Sequence, residues 1–253
     1  MVLSTRTMPR RSNNFGELGK LFTPMNIALL LAIIIGIVIF CCLERTEKLE
    51  NTGENIILEP HFMKNDKDMF YKHLNMIKVY FEYGSGGSTY QAYIRPNIYK
   101  IYSVESDPIW FNKLKNIFTS FQGDKKDITY IFNEIESQPN NWGRPGKNAT
   151  DIQKKNYSNH ITKLNREDQL KIDLVLIDGR FRVACCLKCF DIINNECLIA
   201  FDDFLNRKEY HIVLDYFDIL EKTEDNTMVI LKKKKNIVSV PKEIITKYEL
   251  ISD

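Results

Sequence analysis

The chain has almost no charge of one sign to spare. Its 253 residues carry 35 Lys and Arg against 33 Asp and Glu, a formal net charge of +2. The strongly basic face that nucleic-acid binding needs is therefore missing, and no nucleic-acid partner is expected. Histidine is scarce, and His61, His73, His160 and His211 show no triad spacing. There is no Asp-x-Asp metal motif of the glycosyltransferase kind, only adjacent Asp202 and Asp203, which an extended strand sends to opposite faces. Among six cysteines, Cys186-x-x-Cys189 lacks a second Cys or His pair at zinc spacing. It reads with Cys185 and Cys197 as buried small hydrophobes, and no metal is expected. The one dense basic run, Lys232 to Lys235, reads as a solvated strand end.

What is present begins with an anchor. Met25 to Leu43 reads MNIALLLAIIIGIVIFCCL without a charge, long enough for a bilayer core of about 30 Å that takes ~20 apolar residues. A cleaved signal has a shorter apolar core and an A-x-A-like site, and none follows Phe40. Cys41 and Cys42 close the run, where lipidation, a dimer bridge or plain packing all fit. Arg6, Arg10, Arg11 and Lys20 precede the run, whereas Arg45 and Lys48 on its other side are diluted by Glu44, Glu47 and Glu50. That bias keeps the N-terminus cytosolic and puts the body in a lumen or outside. The sequons at Asn148 and Asn156 agree with this and are candidate glycosylation sites. The expected organisation is a cytosolic tail over 1–24, a transmembrane helix over 25–43, a polar stem over 44–60 and one domain over 61–253.

In that domain short β-branched and aromatic runs alternate with helical patterns. Strands are expected at 77–83, 99–106, 127–135, 171–179, 197–203 and 227–233, and helices near 89–94, 108–121, 181–193 and 208–220. Near-continuous apolar strands alternating with helices mean an α/β, Rossmann-like, mostly parallel sheet covered on both faces. No internal repeat interrupts it, and 136–170 reads as a long polar connection.

In such sheets ligands bind beyond the carboxyl ends of the strands, and VYFEYGSGGST, Val79 to Thr89, lies there. Gly84 and Gly86 fit the first two positions of a dinucleotide-binding G-x-G-x-x-G, but Thr89 stands at the third and Gly87 is out of register. Glu82 before Gly-x-Gly, with Glu105 ending the next strand, instead resembles class I S-adenosylmethionine-dependent methyltransferases. The blocks FEYGSGGST, YSVESDPIW, NWGRPG, DLVLIDGRFRVAC and IAFDDFLNRKEYHIVLDYF together are similar to a little-characterised branch of methyltransferase-like proteins, over roughly residues 75–235. The matching positions are Glu82, Gly84, Gly86, Ser88, Thr89, Glu105, Trp142, Gly143, Pro145, Asp178, Gly179, Arg180, Arg182, Asp203, Arg207 and Tyr210. One departs: Asp202 stands where the branch commonly has His.

The resemblance implies a cofactor, S-adenosylmethionine, held by Glu82, Gly84, Gly86, Ser88, Thr89 and Glu105, with Glu105 on the ribose hydroxyls from an exposed strand end. Asp178 and Asp203, after the fourth and fifth strands, are the candidate catalytic carboxylates for deprotonating an acceptor hydroxyl. Arg180 and Arg182 are placed to hold an anionic or sugar substrate, and Trp142 to stack on a sugar. Asp178–Arg180 and Asp203–Arg207 would equally serve as ion pairs that order loops. The expected activity is methyl transfer to oxygen of a glycan or small polar acceptor. The rival is a tethered methyltransferase-like domain that binds without catalysing, which the missing His favours.

Overall fold

The computed structural model describes residues 58–120, 126–137, 141–223 and 227–252. The segment 25–43, the tail before it, most of the stem, Cys41 and Cys42 lie outside the described residues. No helix among the described residues is long and apolar enough to cross a membrane.

The elements run α1 (Lys64–Leu74), β1 (Val79–Tyr83), α2 (Gly87–Ile94), β2 (Lys100–Glu105), α3 (Pro108–Ser120), β3 (Asp127–Phe132), α4 (Asp151–Ser158), a 3-10 turn (Ile161–Lys163) and α5 (Arg166–Lys171). They continue with β4 (Leu174–Ile177), α6 (Arg182–Ile192), β5 (Leu198–Phe201), a 3-10 segment (Lys208–Asp215), β6 (Phe217–Lys222), β7 (Val229–Lys233) and α7 (Lys242–Tyr248). The strands form one sheet in the order β3-β2-β1-β4-β5-β7-β6. The first five are parallel; β7 inserts antiparallel beside β5, with β6 antiparallel at the edge. The chain winds outward from β1 to β3, then returns to β4 on the other side of β1. The β1/β4 junction is thus the switch point where such sheets take ligands.

Side-chain alternation builds two cores. Tyr80, Ile101, Leu174, Leu176, Ala200 and Ile230 face Met69, Phe70 and Leu74 of α1. Phe81, Tyr83, Val104, Val175 and Ile177 point the other way, onto the apolar side of α6. Cys185, Cys186 and Cys189 lie within that side as free thiols, as does Cys197 nearby. The expected role of these four as small hydrophobes is the one their burial gives them.

Three expectations change. The predicted helix over 208–220 is a 3-10 segment followed by β6. Tyr210 and Val213, three apart, suit a 3-10 repeat, and Phe217 to Lys222 then pairs with β7 rather than continuing the turn. The polar stretch 136–170 contains two helices with their own caps, Thr150 accepting from Gln153 N and Asn165 from Asp168 N. Leu58 to Pro60, expected in the stem, are part of the domain: Leu58 packs with Leu114 and Phe118, and Pro60 is buried.

Candidate functional site

The glycine turn leaves β1 at the switch point, and its three glycines answer to three different constraints. Gly84 has φ +97°, and a Cβ there would stand 2.9 Å from the Asp178 carbonyl carbon and the Gly179 nitrogen. Only glycine lets the ends of β1 and β4 approach so closely. Gly87 lies under the chain segment before α1, where a Cβ would come within 2.1 Å of Glu59 C. Gly86 is different. Its backbone is extended, and a Cβ would meet nothing nearer than Trp110 Nε1 at 3.9 Å. Its α-carbon face is open, a backbone surface to which a ligand can come close.

Beneath the turn sits Glu82. It is fully buried and accepts hydrogen bonds from Tyr80 Oη at 2.9 Å, Ser88 Oγ at 2.7 Å, Ser103 Oγ at 2.5 Å and Thr89 Oγ1. Thr89 Oγ1 in turn accepts the Gly86 N–H at 2.8 Å. Burial pushes the Glu82 carboxyl up to about 7, against the pull of its four hydroxyl donors. Glu82, Ser88 and Thr89 therefore brace the turn from below and do not line its outer surface.

Glu105 ends β2 beside the turn. Its Oε1 accepts the N–H groups of Ser106 at 2.6 Å and Asp107 at 2.7 Å, and its Oε2 that of Ser85 at 3.2 Å. The expected exposed strand end is in fact 7% exposed. Burial raises its carboxyl to about 7, partly offset by those N–H groups. Trp110 holds the turn's far side, donating Nε1 to Ser85 O at 2.7 Å. Above lies the Trp142-Gly143 loop, Gly143 fitting over Ser106 so tightly that a Cβ would be 2.7 Å from Ser106 Oγ. Trp142 itself is 73% exposed, and its ring stands edge-on to that of His61 with the centroids 5.7 Å apart.

A charged cluster fills the ends of β4 and β5. Arg182, 4% exposed, is its centre. It donates to Asp178 Oδ1 at 3.1 Å, Gly179 O at 3.1 Å and Asp202 O at 2.7 Å, and stands 3.2 Å from Asp203 Oδ2 and 3.6 Å from Asp202 Oδ2. Arg207 adds a second cation, 2.9 Å from Asp203 Oδ2, and donates to Tyr210 Oη. Asp202 and Asp203 thus converge instead of pointing to opposite faces. β5 ends at Phe201, and Asp203 takes φ +60°, so the alternation of an extended strand no longer applies. Asp178 and Asp202 both face the same guanidinium, that of Arg182. Burial raises both, and Asp202, pressed further by Asp178, reaches about 9. Arg182 is committed to this cluster and does not face outward to hold a substrate. Arg180 is half-buried, and its charge pulls the Asp178 carboxyl down against burial.

Besides Asp203, Trp142 and Phe181 are the other non-glycine residues with positive φ among the described residues, both at +53°. Such conformations cost about 1–3 kcal/mol each and gather where function constrains the backbone. Here all three stand on the loops around the turn, at positions chemistry alone had not marked out for Phe181.

Two hollows among the described residues lie at the other end of the sheet. They adjoin, measure about 370 Å³ each and are bordered by Phe190, Asn195, Lys233 and Val238. The basic run there is occupied rather than merely solvated. Lys232 pairs with Glu196, Lys233 Nζ caps Ile193 O at 2.8 Å and Lys234 Nζ caps Leu214 O at 2.6 Å. No cluster of His, Cys, Asp and Glu able to hold a metal occurs among the described residues. His160, bonded to Asn133 Oδ1 at 2.9 Å, is lowered to about 4 by burial. Asn148 is exposed and Asn156 half-buried in α4.

No family profile and no curated protein matches the chain by sequence. Solved structures do match it. A methyltransferase-like protein from Silicibacter pomeroyi superposes with a TM-score of 0.64 at 23% identity, covering 75% of this chain and 95% of that one. A ribosomal-protein methylase from Lactobacillus delbrueckii subsp. bulgaricus gives 0.41 at 13%, covering 70% and 84%. A tRNA methyltransferase from M. jannaschii gives 0.41 at 15%, covering 73% and 59%. The seven-stranded, mostly parallel sheet is a methyltransferase fold.

Proposed function

We propose that this domain is an S-adenosylmethionine-dependent methyltransferase, tethered by residues 25–43 as a single-pass membrane protein with its body luminal or extracellular, and that it methylates oxygen on a glycan or small polar acceptor. One observation carries the reading: the open α-carbon of Gly86 stands at the switch point with Glu105 fixed beside it on the neighbouring strand end. A Cβ at Gly86 would fill the cradle that the cofactor's backbone approach needs, so the residues present fit the group. The cofactor would supply an electrophilic methyl on sulfonium. Gly86, in the turn that Gly84 allows, would carry it against main chain, and Glu105, with one acceptor position beyond its three N–H bonds, would take a ribose hydroxyl. Asp178 and Asp203, whose side chains are 29% and 35% exposed, are the carboxylates that can receive an acceptor's proton. Arg182 positions both, and Trp142 offers a free ring face to a sugar.

A second reading has its own support. Arg182 and Arg207 tie up the carboxylates of Asp178 and Asp203, and Asp202 replaces an imidazole with a carboxyl. This favours a domain that binds a ligand and does not turn it over. Calorimetry of the full-length protein in detergent with S-adenosylmethionine and its demethylated product separates the outcomes. Binding of both supports the methyl-donor site; no heat at millimolar concentration sinks it. Binding without methyl release to any hydroxylated acceptor favours the second reading.

A further inference from the structure

The segment entering α1 is built into the candidate site. Leu58 packs with Leu114 and Phe118, and its carbonyl accepts Gln91 Nε2 at 3.0 Å. Glu59 accepts from Gln91 Nε2 at 3.1 Å and from Tyr71 Oη at 2.7 Å, and pairs with Lys67 at 3.0 Å. The Glu59–Pro60 backbone lies on the bare α-carbon of Gly87, next to the open Gly86. These bonds fix residues 58–60 over the N-terminus of α2. Phe62 is held on the far side by the Phe70 ring, edge-on at 5.3 Å. Between the two fixed points only His61 reaches across, placing its ring 5.7 Å from that of Trp142. Trp142 belongs to the loop whose Gly143 covers Ser106, beside Glu105. The bridge therefore runs from the glycine-turn half of the site to the Glu105 half, and its crossing is one exposed ring contact.

We propose that residues 58–62 wall one side of the cofactor site and that the His61 ring is the gate in that wall, latched shut by its contact with Trp142. This rests on the methyl-donor reading and adds a positioning role for a segment with no place in the glycine motif. The wall's ends are held by several polar bonds and buried rings, while its middle is held by one edge-on pair, so opening needs only that pair to part. A ligand seated on Gly86 and Glu105 would leave through the gap so made.

The test uses the two tryptophans of the chain, Trp110 and Trp142, both of which stand at the site. Stopped-flow fluorescence of full-length wild type, His61→Ala and His61→Phe would follow S-adenosylmethionine release. His61→Ala is expected to raise acrylamide quenching and to speed release about three- to tenfold, the range an aromatic pair supports, with the melting temperature unchanged. His61→Phe should restore slow release. Gly87→Ala, which pushes the Glu59 backbone off its seat, should speed release as well. If wild type binds and His61→Ala releases at the same rate, the latch is wrong and the methyl-donor site stands. If quenching is unchanged in His61→Ala, the ring contact does not hold and the latch falls with it. If no form binds, the methyl-donor reading fails and takes the latch with it.

Discussion

Glu105 Oε2 accepts the main-chain N–H of Ser85 at 3.2 Å, tying the end of the second strand to the turn that ends the first. A residue singled out for a ligand is thus also a strut. Glu105→Ala would strand three N–H groups, those of Ser85, Ser106 and Asp107, and should cost on the order of 2 kcal/mol or more as well as cofactor binding. Glu105→Gln, which keeps one carbonyl oxygen, should lose less of each. Urea denaturation beside calorimetry checks this; an alanine variant as stable as wild type would show the strut to be idle.

The glycines separate fold from binding. Gly84→Ala forces a Cβ against the Asp178 backbone at positive φ and should destabilise by about 1–3 kcal/mol. Gly86→Ala meets no atom within 3.9 Å and adopts an extended backbone any residue accepts, so its melting temperature should hold while cofactor affinity drops about tenfold or more. Equal affinity in Gly86→Ala would place the ligand elsewhere.

Arg182, itself 5% exposed in its side chain, is the countercharge for three carboxyl groups. Removing one partner of a buried ionic cluster costs about 3–5 kcal/mol, and Arg182→Leu is expected to fall in that range by chemical denaturation. A change under about 1 kcal/mol would mean that water reaches the cluster and screens it.

Stability should depend on pH in a definite direction. Glu82 and Glu105, raised to about 7, and Asp202, raised to about 9, bind protons more tightly folded than unfolded. The stability they contribute is fully present below their unfolded values and is lost as pH rises through 7 and then 9. His160, lowered to about 4, acts oppositely: its contribution is present above its unfolded value and lost as pH falls through 4. The melting temperature should therefore peak in mildly acidic buffer and decline toward alkaline pH. Asp202→Asn should flatten the alkaline part of that decline. A melting temperature that climbs steadily from neutral to alkaline pH would contradict the assignment.

The membrane reading has its own measurement. Residues 25–43 should keep the protein in the pellet through carbonate extraction. In a eukaryotic host, Asn148 or Asn156 should show an endoglycosidase-sensitive mobility shift that the double Asn→Gln variant lacks. Protection of the N-terminus from protease, with the body digested, would reverse the topology.

The parallel core was legible because β4 and β5 are apolar end to end, β1 is broken only by Glu82, and each is followed by a helix or turn signal. The place of the turn was legible for the same reason. Strand β6 was not, since Asp218 to Leu220 at the sheet edge are exposed and show no alternation, and pairing with β7 decides their state. The helices in 136–170 left a readable trace in Thr150-x-x-Gln153 and Asn165-x-x-Asp168, two cap patterns that a polar composition masked. In the site, residue identity marked Glu105 and Asp178, but orientation lay beyond it. That Glu82 faces down into four hydroxyls, or that Arg182 faces inward, depends on strand register and on the left-handed turn at Asp203. Gly87 looked like an error in a motif because its reason, the Glu59–Pro60 backbone, lies 27 residues earlier in the chain.

The four thiols behind the sheet give the molecule a built-in clock. Cys185, Cys186, Cys189 and Cys197 are buried and in the thiol form, and burial drives the thiols of Cys186, Cys189 and Cys197 well away from the reactive thiolate. In an oxidising lumen the native fold would shelter them, whereas each visit to an open form would expose four nucleophiles at once. Their rate of alkylation would then count global openings, and covalent aggregates would accumulate from chains that have lost the fold, not from those that keep it.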